Sequence, residues 1–255
     1  MISLQEKYGE WALITGASSG IGKEFAKQLA QQKFNLVLVA RREQNLKVLA
    51  QELNNAHSVQ VRIVPLDLST RDFIVSIEQA TSTIDIGLLV NNAGFTITKN
   101  FTDSDIDFQQ ELIDVNIRAV TILTHHFANK MKKNRKGGII NVASGSAFLP
   151  IPKWSTYAAS KAFVLHFTEA IWFELKPFHI DVIALCPGAT KTEFNNSANL
   201  DLGMNVVDVV KSGLRNLSKR PSAIVGLRNK IPITLLRLFS RPTLIKIGAR
   251  VASKY

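Results

Sequence analysis

The twelve residues Trp11-Ala-Leu-Ile-Thr-Gly-Ala-Ser-Ser-Gly-Ile-Gly22 decide how this chain is read. Trp11–Thr15 is an apolar run of strand length, and the spacing of Ile21, Phe25, Leu29 and Ala30 predicts a helix behind it. Gly16, Gly20 and Gly22 lie between the two. Glycine at such a junction permits a tight turn and lets backbone N–H groups approach a pyrophosphate at the helix N-terminus, where the dipole favours an anion. The spacing is G-x-x-x-G-x-G rather than G-x-G-x-x-G, and a glycine cluster alone also fits an ordinary turn. Its place between a strand and a helix points to a dinucleotide.

Outward from this turn the same alternation repeats. Phe34–Ala40 (FNLVLVA) reads as a buried strand, 43–55 as a helix, and 59–65 as a strand. Helix 70–81 precedes strand 84–90, a long helical stretch over 104–133 precedes strand 138–143, and a helix from Ser155 precedes strand 179–185. Ser222–Leu227 is a candidate last strand. Strands alternating with helices predict an α/β fold: one doubly wound, Rossmann-type parallel sheet with helices on both faces. No linker interrupts residues 1–227, which read as the domain that carries the chemistry, and 228–255 reads as a basic amphipathic extension packed on it or tethered to it.

The 255 residues are 46% hydrophobic and 20% charged, a composition that excludes disorder and collagen-like sequence. Cys186 is the only cysteine, so an intrachain disulfide and a Cys-based zinc site are excluded. His125 and His126 point about 100° apart on a helix, no H-E-x-x-H spacing occurs, and no metal is expected. Met1–Tyr8 does not read as a signal peptide, and no apolar stretch nears the roughly 20 residues that span a bilayer. The expected location is cytoplasmic, with a peripheral membrane contact at most. The net charge of +11 is uneven: after Asp208 come eleven cations and no anion, whereas residues 1–208 balance to zero.

Three further features bear on chemistry. The second strand ends Ala40-Arg41-Arg42 with no acid before Glu43. A guanidinium there pairs with the 2′-phosphate of NADP, whereas a carboxylate would select NAD, so Arg41 favours NADP(H). The alternative is that both arginines are solvated helix-start residues. Tyr157 and Lys161, four apart, share one face of a helix. A neighbouring ammonium lowers the phenol pKa and makes Tyr157 an acid–base group at neutral pH. Ser144 ends the strand 138–143, at the edge where open α/β sheets place their sites.

Taken together these elements resemble the short-chain dehydrogenase/reductase family. The matching residues are Thr15-Gly-Ala-Ser-Ser-Gly-Ile-Gly22, Asn91-Asn-Ala-Gly94, Asn116, Ser144, Tyr157-Ala-Ala-Ser-Lys161 and Pro187-Gly188, in the family's order over roughly residues 10–195. The resemblance implies Tyr157 as general acid in carbonyl reduction. Lys161 would lower its pKa and hold the nicotinamide ribose, Ser144 would orient the carbonyl, and Asn116 would kink its helix and hold a water that links Lys161 to solvent. For the cofactor it implies Gly16, Ser18, Ser19, Gly20, Ile21 and Gly22 at the phosphates and Asp67 at the adenine. Asn92, Ala93 and Gly94 would line the adenosine-ribose side, and Pro187, Gly188, Thr190 and Thr192 would embrace the nicotinamide. A homodimer or homotetramer through the long helices is implied as well.

A finer resemblance links Tyr8–Gly16, Asp85–Gly94 and Ser144–Pro152 to the 3-oxoacyl-CoA reductase and 17β-hydroxysteroid dehydrogenase branch. It implies a large apolar ketone or aldehyde, against a wall of Phe95, Phe148, Leu149, Ile151, Trp154 and Phe194. The competing readings are a small-aldehyde or hydroxy-acid dehydrogenase and a non-catalytic NADP(H)-sensing, membrane-associated scaffold. In the tail, Pro232 and Pro242 are expected to divide short helices, and Lys246, Arg250 and Lys254 recur every four residues. Such a segment either lies on an anionic membrane, folds over the pocket or joins another subunit. Nucleic acid is not expected, since aromatic residues do not interleave with the basic ones.

Overall fold

The computed structural model describes residues 2–192 and 203–253. Seven parallel strands form one sheet: β1 (Trp11–Thr15), β2 (Asn35–Ala40), β3 (Val61–Pro65), β4 (Ile86–Asn91), β5 (Gly137–Val142), β6 (Ile180–Cys186) and β7 (Ser222–Ile224). Their order is β3-β2-β1-β4-β5-β6-β7. After β3 the chain crosses back to β4 on the other side of β1, with Leu13 registered against both Val37 and Leu89. That reversal opens a crevice beyond the carboxyl ends of β1 and β4.

The helices are α1 (Leu4–Tyr8), α2 (Gly20–Gln31), α3 (Glu43–His57), α4 (Phe73–Ala80), α5 (Ile106–Ile113), α6 (Val120–Asn134), α7 (Ser155–Leu175), α8 (Val206–Asn216), α9 (Leu227–Leu235) and α10 (Arg241–Ala252). Alternate strand residues face opposite sides of a sheet. Ile14, Leu38, Val90, Ile140 and Leu185 therefore pack with Phe25 and Leu29 of α2, Leu46 and Leu53 of α3, and Val209 and Leu214 of α8. Leu13, Val39, Leu89, Ile139 and Val182 pack on the other face with Phe73 and Ile77 of α4 and Leu123 and Phe127 of α6. Burial on both faces explains the near-continuous apolar strands.

Three segments differ from expectation. The helix expected over 70–81 begins at Phe73, because Asp67 captures the preceding residues: its carboxylate accepts from the Ser69 N–H and hydroxyl at 2.9 and 2.8 Å, and its carbonyl from the Thr70 hydroxyl at 2.9 Å. The stretch 104–133 is not one regular helix: at Asn116, where the resemblance implied a kink, Asp114–Ala119 forms a π-helical turn between α5 and α6. Pro232 does not divide the tail but sits inside α9. The carbonyl left without its intrahelical N–H partner is that of Arg228, in the first turn of the helix, where Arg228 is exposed. The break falls later, where a tight turn at Leu236–Leu238 and the extended Ser240 precede Pro242 in the first turn of α10.

Candidate active site

The glycine-rich turn is held open by its neighbours. Gly16 has φ +65°, and a side chain there would meet the Asn92 amide at 2.8 Å and the Ala93 backbone at 2.9 Å. The Thr15 hydroxyl accepts from the backbone N–H groups of Asn92 and Ala93, both at 3.0 Å, and the Asn92 amide donates to the Thr15 carbonyl at 3.0 Å. The ends of β1 and β4 are thus tied together, and Gly20 stands against Thr192 across the crevice.

The chemistry-bearing side chains meet at the ends of β4 and β5. Lys161, on α7 and buried, donates to the Val142 carbonyl at 2.9 Å, and its Nζ lies 5.9 Å from the centroid of the Tyr157 ring. Burial pushes the Lys161 ammonium down to about 8. Burial raises the Tyr157 hydroxyl above the usual phenol value, and hydrogen bonding with Ser144 and Ser146 pulls against that rise. The expected depression of the Tyr157 pKa is not seen, because desolvation outweighs the hydrogen bonding with Ser144 and Ser146. The Ser144 hydroxyl accepts from the Ser146 N–H at 3.1 Å as the cap of a short 3₁₀ turn.

Asn116 sits in the π-helical turn and is fully buried. Its amide oxygen accepts from the Phe95 N–H at 3.2 Å, and its amide nitrogen donates to the Phe95 carbonyl and the Ser160 hydroxyl, both at 3.1 Å. The Asn116 side chain is spent on positioning Gly94–Phe95 beside Lys161. A deeper chain of amides, Asn91 to Asn141 at 2.8 Å and Asn141 to Thr168 at 3.0 Å, braces β4, β5 and α7 below the site. Cys186 is buried beside this cluster, where burial pushes its thiol up to about 12, an inert core position.

One cavity of about 600 Å³ takes in most of the residues singled out in the sequence. Gly16, Ser18, Ser19, Gly20, Ile21, Arg41, Asp67, Asn92, Ala93 and Gly94 line one end, and Ser144, Tyr157, Lys161, Pro187, Gly188, Thr190 and Thr192 the other. Gly22 and Asn116 stand behind that lining. Gly22 is needed where it is because a side chain would strike the Gly16 carbonyl. Of the expected apolar wall, Phe95, Leu149, Ile151 and Trp154 face the cavity. Phe148 does not: it packs on the apolar cluster of Ala143, Ala147 and Val164. Phe194 lies outside the described residues.

The arginines divide their work. Arg41 faces acids, with its guanidinium 3.1 Å from Glu111 and 3.8 Å from Asp67. Burial pushes the Asp67 carboxyl up, but the Ser69 hydrogen bonds and the Arg41 charge outweigh it and hold the group below the usual carboxylate range. Arg42 instead reaches back over the glycine-rich turn to the Ser18 hydroxyl, at 3.2 and 3.3 Å. Sequence reasoning did not single out Arg42, nor Asn229, which stands against Gly188 and donates to the Val225 carbonyl at 3.0 Å. Of the three expectations for the tail, folding over the pocket is the one seen within the chain: Pro232, Ile233, Leu236, Ile247 and Val251 line the cavity beside Leu149 and Ile151, although no single residue of that wall was named from sequence. No periodicity relates a helix to a pocket 80 residues upstream. The buried stripe Leu244, Gly248 and Ala252 was the available signal.

The arrangement has room for a dinucleotide beyond the carboxyl ends of the strands and presents one acid–base cluster to an apolar space. A family model described as short chain dehydrogenase matches residues 10–203. The chain belongs to the short-chain dehydrogenase family. A solved 7β-hydroxysteroid dehydrogenase is 29% identical, with a TM-score of 0.92 over 97% of this chain and 99% of that one. A short-chain dehydrogenase from Sphingobium yanoikuyae, solved in complex with NADPH, is 33% identical with a TM-score of 0.78, covering 84% of this chain and 86% of that one. The human inactive hydroxysteroid dehydrogenase-like protein 1 is 34% identical over 199 residues, 77% of this short-chain dehydrogenase. The chain spans 60% of that relative's length.

Proposed function

We propose that this short-chain dehydrogenase is an NADPH-dependent reductase that converts the carbonyl of a bulky apolar ketone or aldehyde, steroid-like or 3-oxoacyl, to an alcohol. The observation that carries the reading is the meeting of Ser144, Tyr157 and Lys161 in one cavity whose remaining wall is apolar. The residues present fit the cofactor: Gly16, Gly20 and Gly94 form a cradle that side chains would fill, and Arg42 lies across its phosphate end. When bound, NADPH supplies the hydride that the carbonyl carbon accepts.

The chain's own residues do the rest. Tyr157, held protonated by burial, gives its proton to the carbonyl oxygen as that oxygen becomes an alkoxide. The Ser144 hydroxyl hydrogen-bonds the same oxygen and fixes its direction. Lys161, anchored on Val142, holds the ribose side and stabilises the charge left on Tyr157. Arg41 and Arg42 together place positive charge where NADP carries a phosphate that NAD lacks. The resemblance to a 7β-hydroxysteroid dehydrogenase and to an NADPH complex supports both halves of this reading.

A non-catalytic reading has one observation behind it, the relative whose name calls it inactive. The test is NADPH oxidation against steroid ketones, long 3-oxoacyl thioesters and simple aldehydes, with NADH in parallel. Turnover with NADPH on the bulky substrates, reduced about 100-fold or more in Tyr157→Phe with NADPH binding kept, supports the reductase. A native chain that binds NADPH and reduces none of the panel supports the non-catalytic protein.

A further inference from the structure

The helices that wall the cavity carry a second, outward surface that the reaction does not use. On α10, Leu244, Ile247, Gly248, Val251 and Ala252 turn inward, and Gly248 seats directly on the Pro150 carbonyl. Arg241, Ile245, Lys246 and Arg250 turn outward and are exposed. On α9 and the turn after it, Ile231, Leu235, Leu238 and Phe239 are exposed beside Arg228 and Lys230. Five of the fourteen large apolar side chains exposed among the described residues fall within residues 231–245, with Leu238 80% exposed. Such a concentration marks an interaction surface. No acidic residue follows Asp208, so nothing in the tail offsets the charge of this patch.

We propose that the outer face of α9 and α10 docks this protein on an anionic lipid surface. Exposed aliphatic side chains ringed by cations suit the headgroup boundary of a bilayer, where the chains enter and the cations meet phosphate. Among the described residues no helix is long and apolar enough to cross a membrane, so the helices lie on the surface. A second copy of the chain is a poor occupant, because a symmetric contact would set cations against cations. Nucleic acid is poorer still, since Phe239 is the one exposed aromatic in this patch. If the cavity takes an apolar carbonyl compound, a point that rests on the reading above, docking brings the lipid phase to the helices that wall it.

The test is co-sedimentation of the full chain, without cofactor or substrate, with vesicles of phosphatidylcholine alone or mixed equally with phosphatidylglycerol. Because no turnover is involved, its outcome is independent of the reductase reading. Docking predicts binding to the anionic vesicles only, weakened by salt. Arg241→Gln with Lys246→Gln removes two interfacial cations and should weaken partition about 30-fold. Leu238→Ser with Phe239→Ser should weaken it too, with NADPH binding in solution kept by both variants. The proposal is overturned by absence of binding to either vesicle or by equal binding to both. It is also overturned if the serine variant dissolves a dimer of a chain that never sediments with lipid.

Discussion

The ammonium of Lys161 donates to the main-chain carbonyl of Val142 at 2.9 Å and stands 5.9 Å from the centroid of the Tyr157 ring. The strand carbonyl, not the phenol oxygen, holds the lysine. The two groups consequently shift in opposite senses under one cause, burial, which takes Lys161 to about 8 and Tyr157 upward. Reduction needs a phenol that keeps its proton and a cation beside it, so kcat/KM should fall as pH rises through about 8. A pH profile flat across that range would count against Lys161 acting as a cation.

The same shift sets the pH dependence of stability. The folded pKa of Lys161 lies below its unfolded value, so the cost of burying the ammonium is full below about 8. It is relieved as pH rises from there toward the ordinary lysine value. Urea unfolding should show the native chain gaining on Lys161→Met between neutral pH and about 10. A gap between the two that does not change with pH would contradict the burial.

Arg42 lies over the glycine-rich turn and Arg41 over Glu111 and Asp67, so the two should not contribute alike. Arg42→Ala is expected to raise the KM for NADPH about tenfold or more while leaving NADH nearly unchanged, the loss of one charge-assisted phosphate contact. Arg41→Ala should do less to NADPH and more to adenine-side affinity, because it also releases Asp67. Steady-state kinetics with both cofactors separates these outcomes.

Asn116 satisfies both backbone groups of Phe95 and the Ser160 hydroxyl. Asn116→Ala leaves these polar groups without partners and should destabilise the fold by about 1–3 kcal/mol, measured by denaturant unfolding. It should also lower kcat, because Gly94 and Phe95 would lose their anchor next to Lys161. Full stability in this variant would show that water replaces the amide.

Gly248 meets the Pro150 carbonyl so closely that a β-carbon has no room. Gly248→Val should push α10 off the loop carrying Leu149 and Ile151, raising KM for a bulky ketone while the Kd for NADPH stays within about twofold. An unchanged KM would remove the tail from the substrate wall.

What could be read from the sequence depended on how far apart the cooperating residues lie. The β1–turn–α2 unit is local, and Gly16, Gly20 and Gly22 state their purpose by position. Tyr157 and Lys161 are one helical turn apart, so their shared face was legible. That the strands run parallel followed from alternating elements, whereas their order did not, because the crossover after β3 has no local signal. The choice between Arg41 and Arg42 was not legible, because adjacent residues at a strand end diverge according to which acids happen to face them, here Glu111 from α5. Phe148 looked like its neighbours in composition, but the 3₁₀ turn that ends with it sets it, partly buried, against Ala143, Ala147 and Val164 instead of the cavity. Pro232 signalled a break by its chemistry, yet the one bond it forfeits lies at an exposed helix start and costs little. The kink at Asn116 came only through the resemblance, because a π-helical turn has no periodicity of its own to reveal it.

The tail's place in the cavity wall also sets an order of events during synthesis. Residues 16–192 complete the dinucleotide cradle, and β6 emerges from the ribosome well before Ile233, Leu236, Ile247 and Val251. Domains take shape from the N-terminus as the chain emerges. A nascent chain arrested before α9 would therefore hold the glycine-rich end of the cavity complete while the wall that α9 and α10 supply is still unbuilt.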